Sequence, residues 1–193
     1  MIEGRLRSGY DSLAMYVSAL SLGPRGWVQI LNFVVFGLLL LAFARGVTAR
    51  LSSAGTQSRI GPALLTIIAL GYLASGPFVM DPDGTPGNLM SIHGTIHGIL
   101  GGIVFLLMPV SCFVFARRFS RHPDWRGLRW CSMAAGTTIA IAVVILTYAT
   151  KVAPARNVFS GWLGLIQRAA IVPFMSWLFI FALTLHRRIA RTR

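Results

Sequence analysis

The sequence predicts an all-α integral membrane protein, a polytopic transmembrane helix bundle of five spans that forms one domain over residues 1–193. Hydrophobic residues make up 55% of the chain and charged residues 12%, whereas charged residues are about a quarter of a soluble domain. The apolar residues form five runs, each close to the roughly 20 residues that a helix needs to cross a bilayer. Most of the arginines lie between these runs, as in the loops of multi-pass membrane proteins.

The five predicted spans cover residues 27–44, 60–80, 91–116, 130–150 and 165–185. The first is about as short as a spanning helix can be, and only Gln29 and Asn32 interrupt its apolar character. The second contains glycines and prolines, which membrane helices tolerate where neighbouring groups satisfy the freed carbonyls. We expect that helix to be kinked or frayed near Pro77.

Residues 1–26 form an outer lead-in to the first span. The segment from Tyr10 to Leu22 (YDSLAMYVSALSL) is too short to cross a membrane, but its mixture of apolar and polar residues suits a short interfacial helix at the outer surface. A partly ordered lead-in is an equal alternative. Residues 2–5 spell IEGR, which matches a common protease-tag sequence and is left out of the fold prediction.

The distribution of basic residues predicts the orientation. Arginines are concentrated in the loops after the first and third spans and in the carboxyl-terminal tail, while four of the five acidic residues lie on the other side. The positive-inside rule then places the carboxyl terminus in the cytoplasm and the amino terminus outside the inner membrane. The net charge of +13 would also suit a nucleic-acid-binding protein, but its placement favours membrane lipids as partners and no nucleic acid.

Three sequence motifs follow one another along the chain. The stretch Gly9–Gly46 contains Ser-Leu-Gly-Pro-x-Gly-Trp, Gly71–Gly87 contains Phe-x-x-Asp-Pro, and His93–Phe105 contains His-Gly-x-x-His-Gly. Over nearly its whole length the chain resembles the bacterial membrane family catalogued as domain-of-unknown-function 998. The resemblance implies a helical membrane architecture and no known activity. Members usually carry six helices, the first upstream of the Gly-Tyr-Asp segment, so we expect that a first helix is missing here. A homo-oligomer or a partner helix could take its place.

The candidate functional residues form a polar cluster at the predicted outer face, comprising Asp81, Asp83, His93 and His97. The spacing of the two histidines places both imidazoles on one helix face, one turn apart. There they could share a metal, with Asp81 or Asp83 as a third ligand and zinc as the ion. Such a site would suit a metal-dependent membrane hydrolase that acts on a lipid amide or ester.

A structural role is the favoured alternative for the same cluster. Asp-Pro-Asp-Gly and Thr-Pro-Gly are consecutive turn sequences, whose carboxylates can cap the loop or the start of the third span. His93 and His97 would then hydrogen-bond to Asp81 and other buried polar groups, and no cofactor would be needed.

Glycines recur every fourth residue along the third span, at Gly94, Gly98 and Gly102. Such a small-xxx-small stripe lets another helix backbone approach closely. Packing within the chain is the expected use, and homodimerisation is the rival.

The leading functional hypothesis is a non-enzymatic bundle that associates with lipid or a small molecule and carries the Asp/His cluster at its outer face. The metal-dependent hydrolase is the first alternative. A transporter component is the second, and it is disfavoured because, apart from Arg168, the first, fourth and fifth spans lack the buried charges that usually mark a transport pathway.

Overall fold

The structure, a computed structural model, describes residues 2–53, 59–121 and 125–191, and within these residues the chain is helical and contains no β-strand. Short 3-10 helices cover Val17–Ser21, Gly87–Leu89 and Ser160–Trp162. The α-helices of the described residues are α1 (Ile2–Leu6), α2 (Gly26–Ser53), α3 (Ile60–Ala74), α4 (Ile92–Phe119), α5 (Arg126–Lys151), α6 (Ala153–Phe159) and α7 (Leu163–Arg191).

Four helical stretches of the described residues are long and apolar enough to cross a membrane, namely Gly26–Arg50, Ile92–Phe119, Arg126–Lys151 and Pro154–Arg188. They indicate a multi-pass membrane protein. The remaining predicted span corresponds to α3, which has 15 residues, fewer than the roughly 20 that cross a bilayer unaided. The predicted all-α class is confirmed, whereas the count of five spans is not.

The early end of α3 follows from its sequence. We predicted a helix over residues 60–80 with a kink or fraying near Pro77, but the helix ends at Ala74. Pro77 has no amide N–H to donate and disfavours the helical conformation at Gly76. The hydroxyl of Ser75 donates to the carbonyl oxygen of Gly71 at 2.8 Å and satisfies one of the last carbonyls.

Each long helix packs against its neighbours in the order α2, α3, α4, α5 and α7. We call the end at which α2, α4 and α7 begin the proximal end, and the other the distal end. Glycines bring the backbones close: a Cβ at Gly37 on α2 would lie 2.9 Å from the carbonyl oxygen of Ala69 on α3. Gly136 on α5 similarly lies against Phe113 and Cys112 of α4. These contacts are the small-residue packing expected of membrane helices.

An aromatic core closes the distal half of the bundle. The rings of Phe115 and Phe181 lie 5.0 Å apart, and the edge of Phe43 on α2 meets Phe181 on α7 at 5.2 Å. The indole of Trp177 is buried and donates to the hydroxyl of Ser132 at 2.8 Å. Here α2 and α7 touch, whereas toward the proximal end they separate and a cavity lies between them.

The amino-terminal cap, residues 2–25, covers the proximal end. Where a short interfacial helix was expected over Tyr10–Leu22, the chain forms turns and a 3-10 helix over Val17–Ser21, whose residues Ala19, Leu20 and Ser21 are buried. The guanidinium of Arg7 donates to the carbonyl oxygens of Leu20, at 2.7 Å, and of Leu22. The amide of Val17 donates to Oε1 of Gln167 on α7 at 2.7 Å. Hydrogen bonds to distant residues therefore fix this segment.

The two ends of the bundle differ in charge. The acidic side chains of the described residues belong to the cap and to the loop between α3 and α4, which we call the proximal loop. They are Glu3, Asp11, Asp81 and Asp83. The distal end carries Arg45, Arg50, Arg59, Arg117, Arg118, Arg121, Arg126, Arg129, Arg187 and Arg188. The end of the predicted basic tail, residues 192 and 193, lies outside the described residues.

Candidate binding site

His93 and His97 fasten the loop that follows α3 to the first turns of α4. Nδ1 of His93 lies 3.2 Å from the carbonyl oxygen of Pro77, and Nδ1 of His97 lies 2.7 Å from that of Phe78. Because a carbonyl oxygen only accepts, each Nδ1 carries the proton and donates it. The histidines therefore bond to backbone carbonyls, and not to Asp81 as the structural hypothesis supposed.

Asp81 organises the start of α4. Its Oδ2 accepts from the amide of Ser91 at 2.8 Å, and the hydroxyl of Ser91 in turn accepts from the amide of Gly94 at 2.9 Å. Ser91 is thus an N-cap residue. A Cβ at Gly94 would collide with the Asp81 carboxylate, so only glycine permits this approach.

Asp83 has different partners from the other three candidates. Its Oδ1 accepts from the amide of Gly84 at 3.0 Å and lies 3.6 Å from Nη2 of Arg156 on α6, with both side chains about half exposed. Within residues 2–53, 59–121 and 125–191, no group of three or more His, Cys, Asp or Glu side chains could hold a metal ion. The geometry therefore adds no support to the zinc hypothesis.

The glycine stripe of α4 contacts its own chain at one position. Gly94 is buried against Asp81, but a Cβ at Gly98 or Gly102 would meet no heavy atom within 4 Å. The close packing within the chain that we expected of this stripe thus occurs only at Gly94 among its three glycines.

A cavity of about 710 Å³ lies between the proximal halves of α2 and α7. α3 and α4 form its back wall and the amino-terminal cap covers its top. Its volume is that of a small-molecule site. Of the four predicted polar residues only His97 lines it, whereas Asp81, Asp83 and His93 do not. We call this space the α2/α7 cavity.

Two glutamines give the upper part of the α2/α7 cavity unused hydrogen-bond donors. Gln29 and Gln167 are only 6% and 7% exposed and both line the cavity. Oε1 of Gln167 accepts from Val17, and Oε1 of Gln29 accepts from Asn32 at 3.4 Å. Neither Nε2 has a hydrogen-bond partner in the described part of the chain. Since no fully buried side-chain nitrogen or oxygen there lacks a partner, both nitrogens keep some accessible surface, and both residues line the cavity.

His97 and Tyr72 add an acceptor and a hydroxyl to the same space. Because Nδ1 of His97 donates to Phe78, Nε2 of the neutral ring is an acceptor. The hydroxyl of Tyr72 has no hydrogen-bond partner among the described residues, and its ring packs against Phe36 with centroids 4.6 Å apart. Both residues line the cavity. Its polar groups therefore include donors and acceptors.

The lower part of the α2/α7 cavity is mostly apolar, apart from Ser176, and opens sideways. Val35 and Leu39 on α2 and Val172 on α7 line it, and they are 44%, 64% and 45% exposed on the flank of the bundle. Gly101 on α4 also lines the cavity, and a Cβ there would meet no heavy atom within 4 Å. The cavity is thus reached from the apolar flank that a spanning helix presents to lipid.

Arg168 anchors the cap over the cavity. Its Nη1 donates to the carbonyl oxygens of Ser12 at 2.5 Å and Gly164 at 2.9 Å, and its Nη2 donates to the hydroxyl of Tyr10 at 2.6 Å. At the edge of the cap, the hydrogen bond from Arg25 holds the pKa of Glu3 below its ordinary value. Arg168 and Glu3, two of the charged residues that line the cavity, are therefore engaged in bonds within or to the cap.

The part of the cap beside the proximal loop is also desolvated. Burial, and to a smaller extent the charge of Asp83, raises the pKa of Tyr16 to about 12.

Comparison with protein families gives a match over residues 1–184 to the family described as "Protein of unknown function (DUF998)". Comparison with curated proteins and with solved structures gives no match.

Proposed function

We propose that this chain, which belongs to the DUF998 family of unknown function, is a non-enzymatic membrane protein that binds an amphiphilic lipid or small molecule in the α2/α7 cavity. The observation that carries the proposal is the polarity gradient of that cavity. Buried amides and His97 lie under the cap, whereas exposed aliphatic side chains frame the sideways opening. An amphiphile has the same two halves, and an apolar site with a few placed polar groups suits it.

Entry from the membrane follows from the same geometry. Val35, Leu39 and Val172 lie on the flank of α2 and α7, two helices with the length and apolarity of membrane spans. A lipid could therefore enter without passing through water. Its tail would lie along these side chains, and its headgroup would reach Gln29 and Gln167.

We propose that the protein lies in the inner membrane with the proximal end outside and the carboxyl terminus in the cytoplasm. The support is the concentration of arginine at the distal end and the positive-inside rule. The guanidinium of Arg188 lies 4.3 Å from the ring of Trp125, and that of Arg129 lies 4.9 Å from Trp130. Such pairs suit an interface with anionic headgroups. The cavity would then lie in the outer half of the bilayer.

In this proposal Asp81, His93 and His97 have a mainly structural role. They hold the loop after α3 and the start of α4 together, and α4 supplies part of the back wall of the cavity. His97 also presents Nε2 to the ligand. No cofactor is required.

The proposal predicts that a side chain at Gly101 blocks binding. Gly101→Leu places a branched side chain in the cavity, while Gly102→Leu is the matched control because its Cβ also meets open space and Gly102 does not line the cavity. We expect an amphiphile to co-purify with the wild-type chain at about one per chain, and mass spectrometry of extracted lipids would measure it. Gly101→Leu should lower that amount at least fivefold and Gly102→Leu should not. Equal amounts in both variants would contradict the proposal.

A further inference from the structure

Building on the proposed function, we infer that the ligand of the α2/α7 cavity has an uncharged headgroup that carries both a carbonyl and a hydroxyl or amide N–H. Two observations support the inference. Several polar atoms of the residues that line the cavity have no hydrogen-bond partner among the described residues, and their donor or acceptor character indicates what a ligand must offer. The buried lining residues of the described chain also include no arginine or lysine without a partner.

The unpaired atoms form complementary sets. Nε2 of Gln29 and Nε2 of Gln167 are donors, which match a carbonyl oxygen. Nε2 of His97 is an acceptor, which matches a hydroxyl or an amide N–H. The hydroxyl of Tyr72 can serve either partner. A headgroup with only acceptors would leave His97 unpaired, and a buried polar group without a partner costs about 1–3 kcal/mol.

The charges around the cavity argue against an ionic headgroup. The buried polar residues that line it carry neutral amides and a hydroxyl, and the half-buried His97 adds an imidazole. Arg168 donates to backbone carbonyls and Tyr10, and Glu3 is paired with Arg25 at 2.7 Å. Arg5 also lines the cavity, but it is exposed on the cap. A phosphate drawn down among Gln29, Gln167 and His97 would exchange its hydration for neutral groups, and such burial is costly.

The test compares two lipids that differ in charge. 1-Oleoylglycerol and 1-oleoyl-lysophosphatidylglycerol share the same acyl chain and ester carbonyl, but only the second carries a phosphate. Each would be titrated against the full-length chain in detergent, and native mass spectrometry would give the fraction of chains with one lipid bound. Gly101→Leu and Gly102→Leu would be titrated in parallel.

We expect 1-oleoylglycerol to bind roughly tenfold more tightly or better, a preference of about 1.4 kcal/mol, and Gly101→Leu alone to abolish its binding. If the two lipids bind equally, or the phosphate lipid binds better, and Gly101→Leu abolishes both, the cavity binds lipid but the headgroup inference is overturned. If neither lipid binds, or if Gly101→Leu binds both as the wild type does, the proposed function is overturned together with the inference.

Discussion

Replacement of Arg168 by methionine would release the amino-terminal cap from α7. The guanidinium joins α7 to the cap through the carbonyl oxygen of Ser12 at 2.5 Å and the hydroxyl of Tyr10 at 2.6 Å. A longer bond reaches the carbonyl oxygen of Met15 at 3.3 Å. Methionine keeps much of the apolar stem of arginine and removes every one of these donors.

The size of the effect follows from those bonds. Hydrogen bonds to charged groups contribute about 1.5–3 kcal/mol each, and the half-exposed position of Arg168 favours the lower end. Two well-formed bonds then give about 3 kcal/mol, or a local opening of the cap about 100-fold more frequent. Other contacts persist in the variant, because the amide of Leu165 still donates to the carbonyl oxygen of Leu13 at 2.9 Å.

Hydrogen exchange at the cap amides measures this opening. The amide of Met15 donates to the carbonyl oxygen of Asp11 at 2.8 Å, and that of Val17 donates to Gln167, so both should exchange about 100-fold faster in Arg168→Met. Arg156→Met is the control, since the side chain of Arg156 donates to no backbone carbonyl of the cap among the described residues and forms an exposed pair with Asp83 at 3.6 Å, and such pairs contribute about 1 kcal/mol or less. Equal protection of these amides in the two variants would refute the proposed role of Arg168.

Three further predictions concern packing, a buried hydrogen bond and pH. Gly136→Ala should lower the free energy of unfolding by about 1–3 kcal/mol, because the new Cβ would lie 2.9 Å from the ring of Phe113. Gly127→Ala is the control on the same helix, since its Cβ would meet open space. An equal loss of stability in Gly127→Ala would contradict this reasoning. Trp177→Phe removes the buried bond to Ser132 and should cost about 1–3 kcal/mol in denaturant unfolding, whereas Trp162→Phe, at a site 51% exposed, should cost little. Arg25 holds the pKa of Glu3 below its ordinary value. The stabilisation from this pair is therefore complete above the pKa of Glu3 in the unfolded state, and it is lost as the pH falls through the pKa of Glu3 in the folded state. An NMR titration of Glu3 should show the lowered pKa in the wild type and an ordinary pKa in Arg25→Gln.

The helices were predictable because their signals are local. Length and apolarity mark the stretches that became α2, α4, α5 and α7, since a membrane span must satisfy both within about 20 consecutive residues. The end of the remaining apolar helix was placed six residues too late, at residue 80 instead of Ala74. The sequence showed Pro77 as a weak point, but the chain stops being helical ahead of the proline, where Gly76 also disfavours helix.

The cap and the cavity depend on contacts that sequence order conceals. Arg168 and Ser12 are 156 residues apart, so no local pattern could show that one holds the other. The sequence marks Gln29 as a polar interruption of an apolar run, but it does not distinguish Gln167 from its neighbour Arg168 as a functional residue. The absent side chain of Gly101 became informative only once α2, α4 and α7 were seen around one space.

For the Asp/His residues, the sequence reveals their spacing but not their bonding partners. The four-residue spacing predicts that His93 and His97 share one helix face, one turn apart, and both lie in α4, but spacing cannot tell a metal from a backbone carbonyl as the partner of an imidazole. The carbonyls of Pro77 and Phe78 became available because α3 ends before them.

Photolabelling tests the central claim most directly. A 1-acylglycerol with a diazirine in its chain would be irradiated with the protein in lipid nanodiscs, with and without excess 1-oleoylglycerol, and the labelled residues would be mapped. We predict that competitor suppresses labelling at Val35, Leu39 and Val172 of the α2/α7 cavity, but not at Ile141 and Val144, which are 56% and 67% exposed on α5. If the competitor reduced labelling equally at both sets of residues, that result would contradict a lipid site between α2 and α7.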